Sequence, residues 1–197
     1  MSTVSVDRTQ QRQYGADGTR YYSVTQVCHE LAGDEPYGDP LAMQRGTDLH
    51  LIFALSVAAY VGKAKPPIVP ACYAGFHRAM LAWIDAVKPE PVLIERPSVS
   101  TMKHLPFAGT PDLLAVCTYR NARVLALPDL KTGQKARWHR IQVQAYQKLD
   151  LYREAKALHV LYVHDDGTFT DEPVKADPRD WVAFQSALNC LIWREAA

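Results

Sequence analysis

The sequence predicts an α/β protein in which a central mixed β-sheet is flanked by helices. Two observations lead there. The composition is that of an ordinary globular domain, 48% hydrophobic and 22% charged over 197 residues with 10 Gly and 13 Pro, which excludes disordered, collagen-like and coiled-coil chains. The hydrophobic pattern is helical in the first half, turns into short β-like runs after Pro89 and Pro91, and then alternates between helix and strand. The length suits one domain with one core, over residues 14–197 behind a loose polar tail of residues 1–13.

Element by element, Asp17-Gly18 is a tight-turn pair and predicts a hairpin over 14–22. Ser23 then stands as the N-cap of a short helix to about Leu31, and the stretch 33–40, rich in Gly, Pro and Asp, as a loop. Helices are expected over 47–61 and 72–87, parted by Lys63-Ala-Lys-Pro-Pro67. The β-like runs are 92–96, 107–116 and 123–131, followed by a long amphipathic helix over 136–155. Two more strands, 158–163 and 168–174, are joined by Asp165-Asp166-Gly167. A closing helix starts at Pro178, a good first-turn residue, with Trp181, Phe184, Leu188 and Ile192 on one stripe.

Several classes of function are excluded. The longest apolar run, 51–61, is short of the roughly 18 residues that span a bilayer, so no membrane partner is expected. The opening MSTVSVDRTQQRQ lacks the apolar stretch of a signal peptide, from which a cytoplasmic protein is expected. Cys28, Cys72, Cys117 and Cys190 are scattered and read as reduced thiols. No phosphate-binding Gly-rich loop, dinucleotide fingerprint, nucleophile elbow or zinc-protease helix motif is present. His159 and His164 are five positions apart on one strand and face opposite sides of it. With a formal net charge of +1, polyanion binding must come from local clustering of charge.

The informative stretch is Gly109-Thr-Pro-Asp112 followed by Asp129-Leu-Lys131-Thr-Gly133. Period-two alternation puts Asp129 and Lys131 on one strand face, with Leu130 pointing away. Two carboxylates from adjacent strands can hold a divalent cation such as Mg²⁺. A lysine beside them can orient a water or neutralise charge developing on a phosphate. The tripeptide alone is weak: acid-any-Lys occurs twice, at Asp129 and at Glu154, and roughly one match is expected by chance. Glu154 and Lys156 read as a solvated pair at a helix end; Asp129 is lifted by its strand and by the acid on the strand before it.

In order along the chain, Arg45-Gly-Thr-Asp-Leu-His50, Gly109-Thr-Pro-Asp112, Asp129-Leu-Lys-Thr-Gly133 and Gln142-Val-Gln-Ala-Tyr146 resemble the motifs of the PD-(D/E)XK nuclease superfamily, in its RecB-type branch with phage exonucleases. Ser23-Val-Thr25 resembles the opening segment of such phage nucleases. The resemblance implies a restriction-endonuclease-like core and a Mg²⁺- or Mn²⁺-dependent deoxyribonuclease, an exonuclease in recombination, repair or DNA end processing. It implies metal ligation by His50, Asp112, Asp129 and the Leu130 carbonyl, water orientation by Lys131, and phosphate contact or catalytic support from Gln142 and Tyr146. By helical spacing alone His50 is a core histidine beside Phe53, Ala54 and Val57, and Gln142 and Tyr146 are surface packing. Glu95 is either a further metal-site acid or an edge charge. Two departures stand out. Pro128 lacks a ladder donor next to Asp129, which implies a bend or an edge there. Only Cys28 and Cys190 could correspond to the cluster cysteines of some relatives, so no iron–sulfur cluster is expected.

Between Lys131 and Lys148 the chain carries Lys131, Lys135, Arg137, Arg140 and Lys148 and no acid, with Trp138 and His139 inside the run. Lys135, Arg137, Trp138 and Arg140, with Arg45 from the resembling Arg45-Gly-Thr segment, are the candidate DNA-binding residues, suited to phosphate contact and stacking without sequence readout. A solvated helix start is the plainer reading of such a run. The partners this implies are DNA, as duplex ends or single strands, and a single-strand annealing or recombination protein in a bacterial or phage-infected cell. The rival readings are an endonuclease of the same superfamily, such as a junction resolvase or restriction-type enzyme, and a non-catalytic nucleic-acid-binding module.

Overall fold

The computed structural model of the protein describes residues 5–7, 13–16, 19–33, 39–102 and 104–195. Its strands are β1 (Ser5–Asp7), β2 (Gln13–Ala16), β3 (Thr19–Ser23), β4 (Glu90–Ile94), β5 (Ser98–Val99), β6 (Phe107–Gly109), β7 (Leu113–Tyr119), β8 (Ala122–Lys131), β9 (Ala157–Val163) and β10 (Phe169–Pro173). Its helices are α1 (Val24–Ala32), α2 (Pro40–Tyr60), α3 (Ala74–Val87), α4 (Arg137–Tyr146) and α5 (Pro178–Glu195). The Asp17-Gly18 turn and most of the 1–13 and 33–40 segments lie outside the described residues, although Ser5–Asp7 pairs with β2 as a strand.

The strands form two sheets, ordered β1-β2-β3-β6-β5 and β10-β9-β8-β7-β4. The second is mixed: β8 and β9 run parallel while its other pairs are antiparallel. Alternation sends its side chains to two cores. Leu113, Ala115, Ala126, Leu130 and Leu161 pack against α2 and α3, where Phe53 and Trp83 meet at 5.6 Å. Leu114, Leu127, Leu158 and Val160 pack with α1, α4 and α5. Each fully buried Leu or Phe contributes about 2 kcal/mol.

Three differences from the sequence reading have physical causes. The run 107–116 is not one strand: it breaks at Thr110–Asp112, so that β6 pairs in the first sheet and β7 in the second. Pro111 has no N–H to donate and restricts the residue before it. Helix α2 starts at Pro40, not near Thr47, because Asp39 accepts the Leu41 N–H at 3.0 Å and proline is favourable at the first helical position. Helix α4 ends at Tyr146; a 3₁₀ turn over Asp150–Tyr152 follows.

Strand β8 is central, yet its pairing with β7 reaches only Ala126, whereas pairing with β9 runs on to Lys131. Pro128 lies where β7 has already left, so its missing donor removes no ladder bond. The strand end is thereby opened on one side.

Candidate active site

Asp112 stands at the crossing between the two sheets, just before β7, and is 5% exposed. One carboxylate oxygen lies 2.6 Å from His50 Nδ1 on α2. The other accepts the Leu130 N–H at 2.6 Å, on the opened side of β8. The Asp112 carbonyl accepts the Glu95 N–H at 3.0 Å, which anchors Glu95 in a left-handed conformation, φ 46°, directly after β4. Potential ligand atoms of His50, Glu95 and Asp112 all lie within 4.8 Å of one another.

Asp129 is 2% exposed, and its Oδ2 lies 2.6 Å from Lys131 Nζ. It stands outside the His50, Glu95 and Asp112 trio, beside it in charge. Burial, with help from the Asp112 charge, pushes the Asp129 carboxyl up to about 6 in spite of Lys131. Burial acts on Asp112 in the same direction, but His50, Lys131 and the Leu130 N–H together hold it below the usual carboxylate range. For His50, burial opposes the charged ring, and the Asp112 charge and hydrogen bond outweigh it, so its pKa is raised. Two buried carboxylates thus share one lysine and one histidine, and Glu95 brings a third carboxylate to the group. That is a site with excess negative charge and mostly oxygen donors, which suits a hard divalent cation. The residues present fit such an ion.

On α4, Gln142 Nε2 donates to Thr25 Oγ1 of α1 and to the Tyr146 hydroxyl, each at 3.0 Å. Gln142 Oε1 is buried without a hydrogen-bond partner among the described residues. Burial first, then the Asp129 charge, raises the Tyr146 pKa well above that of an ordinary tyrosine. Gly109 makes room for this ring: a Cβ there would lie 2.5 Å from Tyr146 Cε1. Sequence reasoning missed Tyr14, buried at 2% exposure, whose hydroxyl meets Thr110 Oγ1 at 3.0 Å across 96 residues. No local pattern signals that contact. Thr25 was visible only as part of a resembling segment.

The basic stretch is free of acids in sequence but not in space. Lys135 is ion-paired with Glu172 of β10. Arg140 Nε donates to Asp180 at 2.7 Å, and its Nη2 also reaches Asp177 at 3.4 Å. Strand β10 and the start of α5 bring these carboxylates in from 37 to 40 residues away. Arg137 and Arg45 are exposed and have no ion-pair partner among the described residues. Trp138 is half-buried, 5.1 Å from the His29 ring, and its own ring stands 5.9 Å from Lys131 Nζ. Among the described residues no helix is long and apolar enough to cross a membrane.

No protein-family model matches the sequence, and no curated protein matches it. Solved structures do. The alkaline exonuclease LHK-Exo from Laribacter hongkongensis is 11% identical, with 88% of this chain and 87% of that chain covered at a TM-score of 0.49. A protein described as SSO0001 is 15% identical, with 87% and 75% covered at 0.49. LHK-Exo in complex with dAMP is 11% identical, with 87% and 86% covered at 0.44. These are similarities between chains, and no residue role is attached to them.

Proposed function

We propose that this protein is a divalent-metal-dependent deoxyribonuclease, acting as an exonuclease of phage type in recombination or DNA end processing. The observation that carries this reading is the convergence of Asp112, Asp129 and Lys131 at one opened strand end, with His50 and Glu95 within ligand reach of Asp112.

In this reading His50, Asp112, Asp129, the Leu130 carbonyl and Glu95 would hold Mg²⁺ or Mn²⁺, which when bound supplies an activated water and charge neutralisation at the scissile phosphate. The chain's own groups do the rest. Asp112 aligns two elements at once, fixing His50 from α2 and the Leu130 peptide from β8. Lys131, oriented by Asp129, orients the attacking water and offsets charge developing on the phosphate. Gln142 fixes the Tyr146 hydroxyl beside the two carboxylates, ready to contact a phosphate oxygen. Arg45 and Arg137 offer exposed cations to the DNA backbone, Trp138 a stacking face, and Lys135 and Arg140 a paired basic rim.

Incubation with end-labelled linear duplex and with closed circular DNA tests the exonuclease assignment. Mononucleotide release from linear ends with the circle intact is expected. Cutting of the circle would establish the endonuclease instead.

A further inference from the structure

Beside the candidate active site, a cavity of about 490 Å³ opens at the start of α4. Lys135, Arg137, Arg140 and Lys175 line it, with Tyr162 and one carboxylate, Glu172. Glu172 offsets Lys135, and Asp177 and Asp180 offset Arg140 from behind, so the charge left for an anion is that of Arg137 and Lys175. The four cations differ in role. Asp177 and Asp180 clamp Arg140 through Nε and Nη2, so that its guanidinium is held in place while Nη1 is not part of the clamp. Lys135 is held by Glu172 and lies over the Tyr162 ring at 5.2 Å. Arg137 and Lys175 are exposed and have no ion-pair partner among the described residues. Ala136, at the cap position of α4, also lines the cavity and gives the first-turn N–H groups no side-chain acceptor. The positive end of the helix dipole adds to the same field.

One residue links the rim of the cavity to the candidate active site. Trp138 follows Arg137 directly, and its ring stands 5.9 Å from Lys131 Nζ. A strand whose scissile phosphate lies at Lys131 can stack a base or sugar on Trp138 and place a neighbouring phosphate among Arg137, Lys175 and Arg140. The volume is that of a small-ligand site and accommodates a nucleotide unit. Nothing in the resembling motifs covers Lys175 or β10.

We propose that this cavity is a second phosphate subsite, which holds the nucleic-acid backbone next to, and not at, the bond that is cut. The proposal rests on the nuclease reading for its ligand. It adds Lys175 and the β10 edge to the substrate-binding surface, and it makes binding depend on strand length.

The test is fluorescence anisotropy in EDTA with a labelled single-stranded oligonucleotide of about ten nucleotides, a dinucleotide and a mononucleotide 5′-phosphate. The wild type is compared with Arg137→Glu/Lys175→Glu and with the milder Arg137→Gln/Lys175→Gln, which keeps the test open should charge reversal unfold the chain. Melting temperatures check the fold. The expected result is roughly tenfold or more weaker oligonucleotide binding in the double variants. The slope of log affinity against log salt should be shallower by about 1.4, two lost single-strand phosphate contacts, with a smaller loss for the dinucleotide, which offers fewer phosphates. Wild-type affinity and salt slope in a folded double variant overturn the proposal. So does a mononucleotide that binds as tightly as the oligonucleotide, which would make the cavity a free-nucleotide site. A wild type that cleaves DNA while the double variant binds it normally removes the subsite alone. A wild type that neither binds nor cleaves nucleic acid removes the nuclease reading and the subsite together.

Discussion

The Asp112 carboxylate accepts the Leu130 N–H at 2.6 Å and so closes the gap left where β7 parts from β8. A candidate metal ligand is therefore also a structural acceptor for a buried peptide. Asp112→Asn, which keeps an oxygen for that N–H, should unfold within about 1 kcal/mol of wild type. Asp112→Ala, which orphans it, should cost about 1–3 kcal/mol. Both should lose cleavage. Denaturant unfolding of the metal-free proteins checks the contrast; equal stabilities for the two variants would show that the Leu130 contact carries little.

His50 shows where geometry changes an expectation. Read as a metal ligand from sequence, its removal should weaken Mn²⁺ binding and leave the metal-free fold untouched. With Nδ1 2.6 Å from Asp112, truncation also strips a buried carboxylate of a partner. His50→Ala should therefore weaken Mn²⁺ binding about tenfold or more and lower the metal-free melting temperature as well. Calorimetric Mn²⁺ titration beside a melting curve separates the two effects. Unchanged affinity per folded molecule would make His50 a packing residue.

The sequence showed the chemistry of β8 more clearly than its surroundings. Alternation alone puts Asp129 and Lys131 on one face, and their charged atoms are 2.6 Å apart, while Leu130 is buried on the other face against α2 and α3. Long-range neutralisation was invisible. The run from Lys131 to Lys148 reads as unopposed charge until β10 and α5 return with Glu172, Asp177 and Asp180. The sheet switch at Pro111 was equally hidden, because β6 and β7 are both apolar and only their partners differ. Pro40 reads as the end of a loop in sequence, yet it starts a helix, a distinction that depends on Asp39 supplying the cap.

Gly109 is the position where a methyl group should reach the site indirectly. With a Cβ 2.5 Å from the Tyr146 ring, Gly109→Ala must displace that ring or the β6 backbone. It should cost about 1–3 kcal/mol and lower cleavage by misplacing the Tyr146 hydroxyl. Tyr146→Phe on its own tests the hydroxyl: reduced cleavage is expected, and unchanged cleavage would show that the hydroxyl is not needed.

His139 should give the fold an acid-sensitive component. Its Nδ1 faces both the Ala136 N–H at 3.3 Å and the Tyr162 hydroxyl at 3.0 Å. Burial, then the Lys131 charge, drops its pKa to about 3. An unfolded histidine titrates near 6.5, so the stability from a neutral His139 is complete above about pH 6.5 and is lost as pH falls toward 3. The stability gap between wild type and His139→Gln should therefore be widest at pH 7–8 and narrow steadily below about pH 6.5. Urea unfolding across that range reads it directly; a constant gap would mean that the ring titrates normally.

The most direct test of the account is DNA cleavage by wild type, Asp129→Ala and Lys131→Ala in Mg²⁺, Mn²⁺ and EDTA, with circular dichroism to verify the fold. Wild type should degrade linear DNA with either metal and stop in EDTA, while each variant stays folded and loses about three orders of magnitude or more in rate. Near-normal cleavage by a folded Asp129→Ala protein, or wild-type cleavage that persists in EDTA, would contradict it.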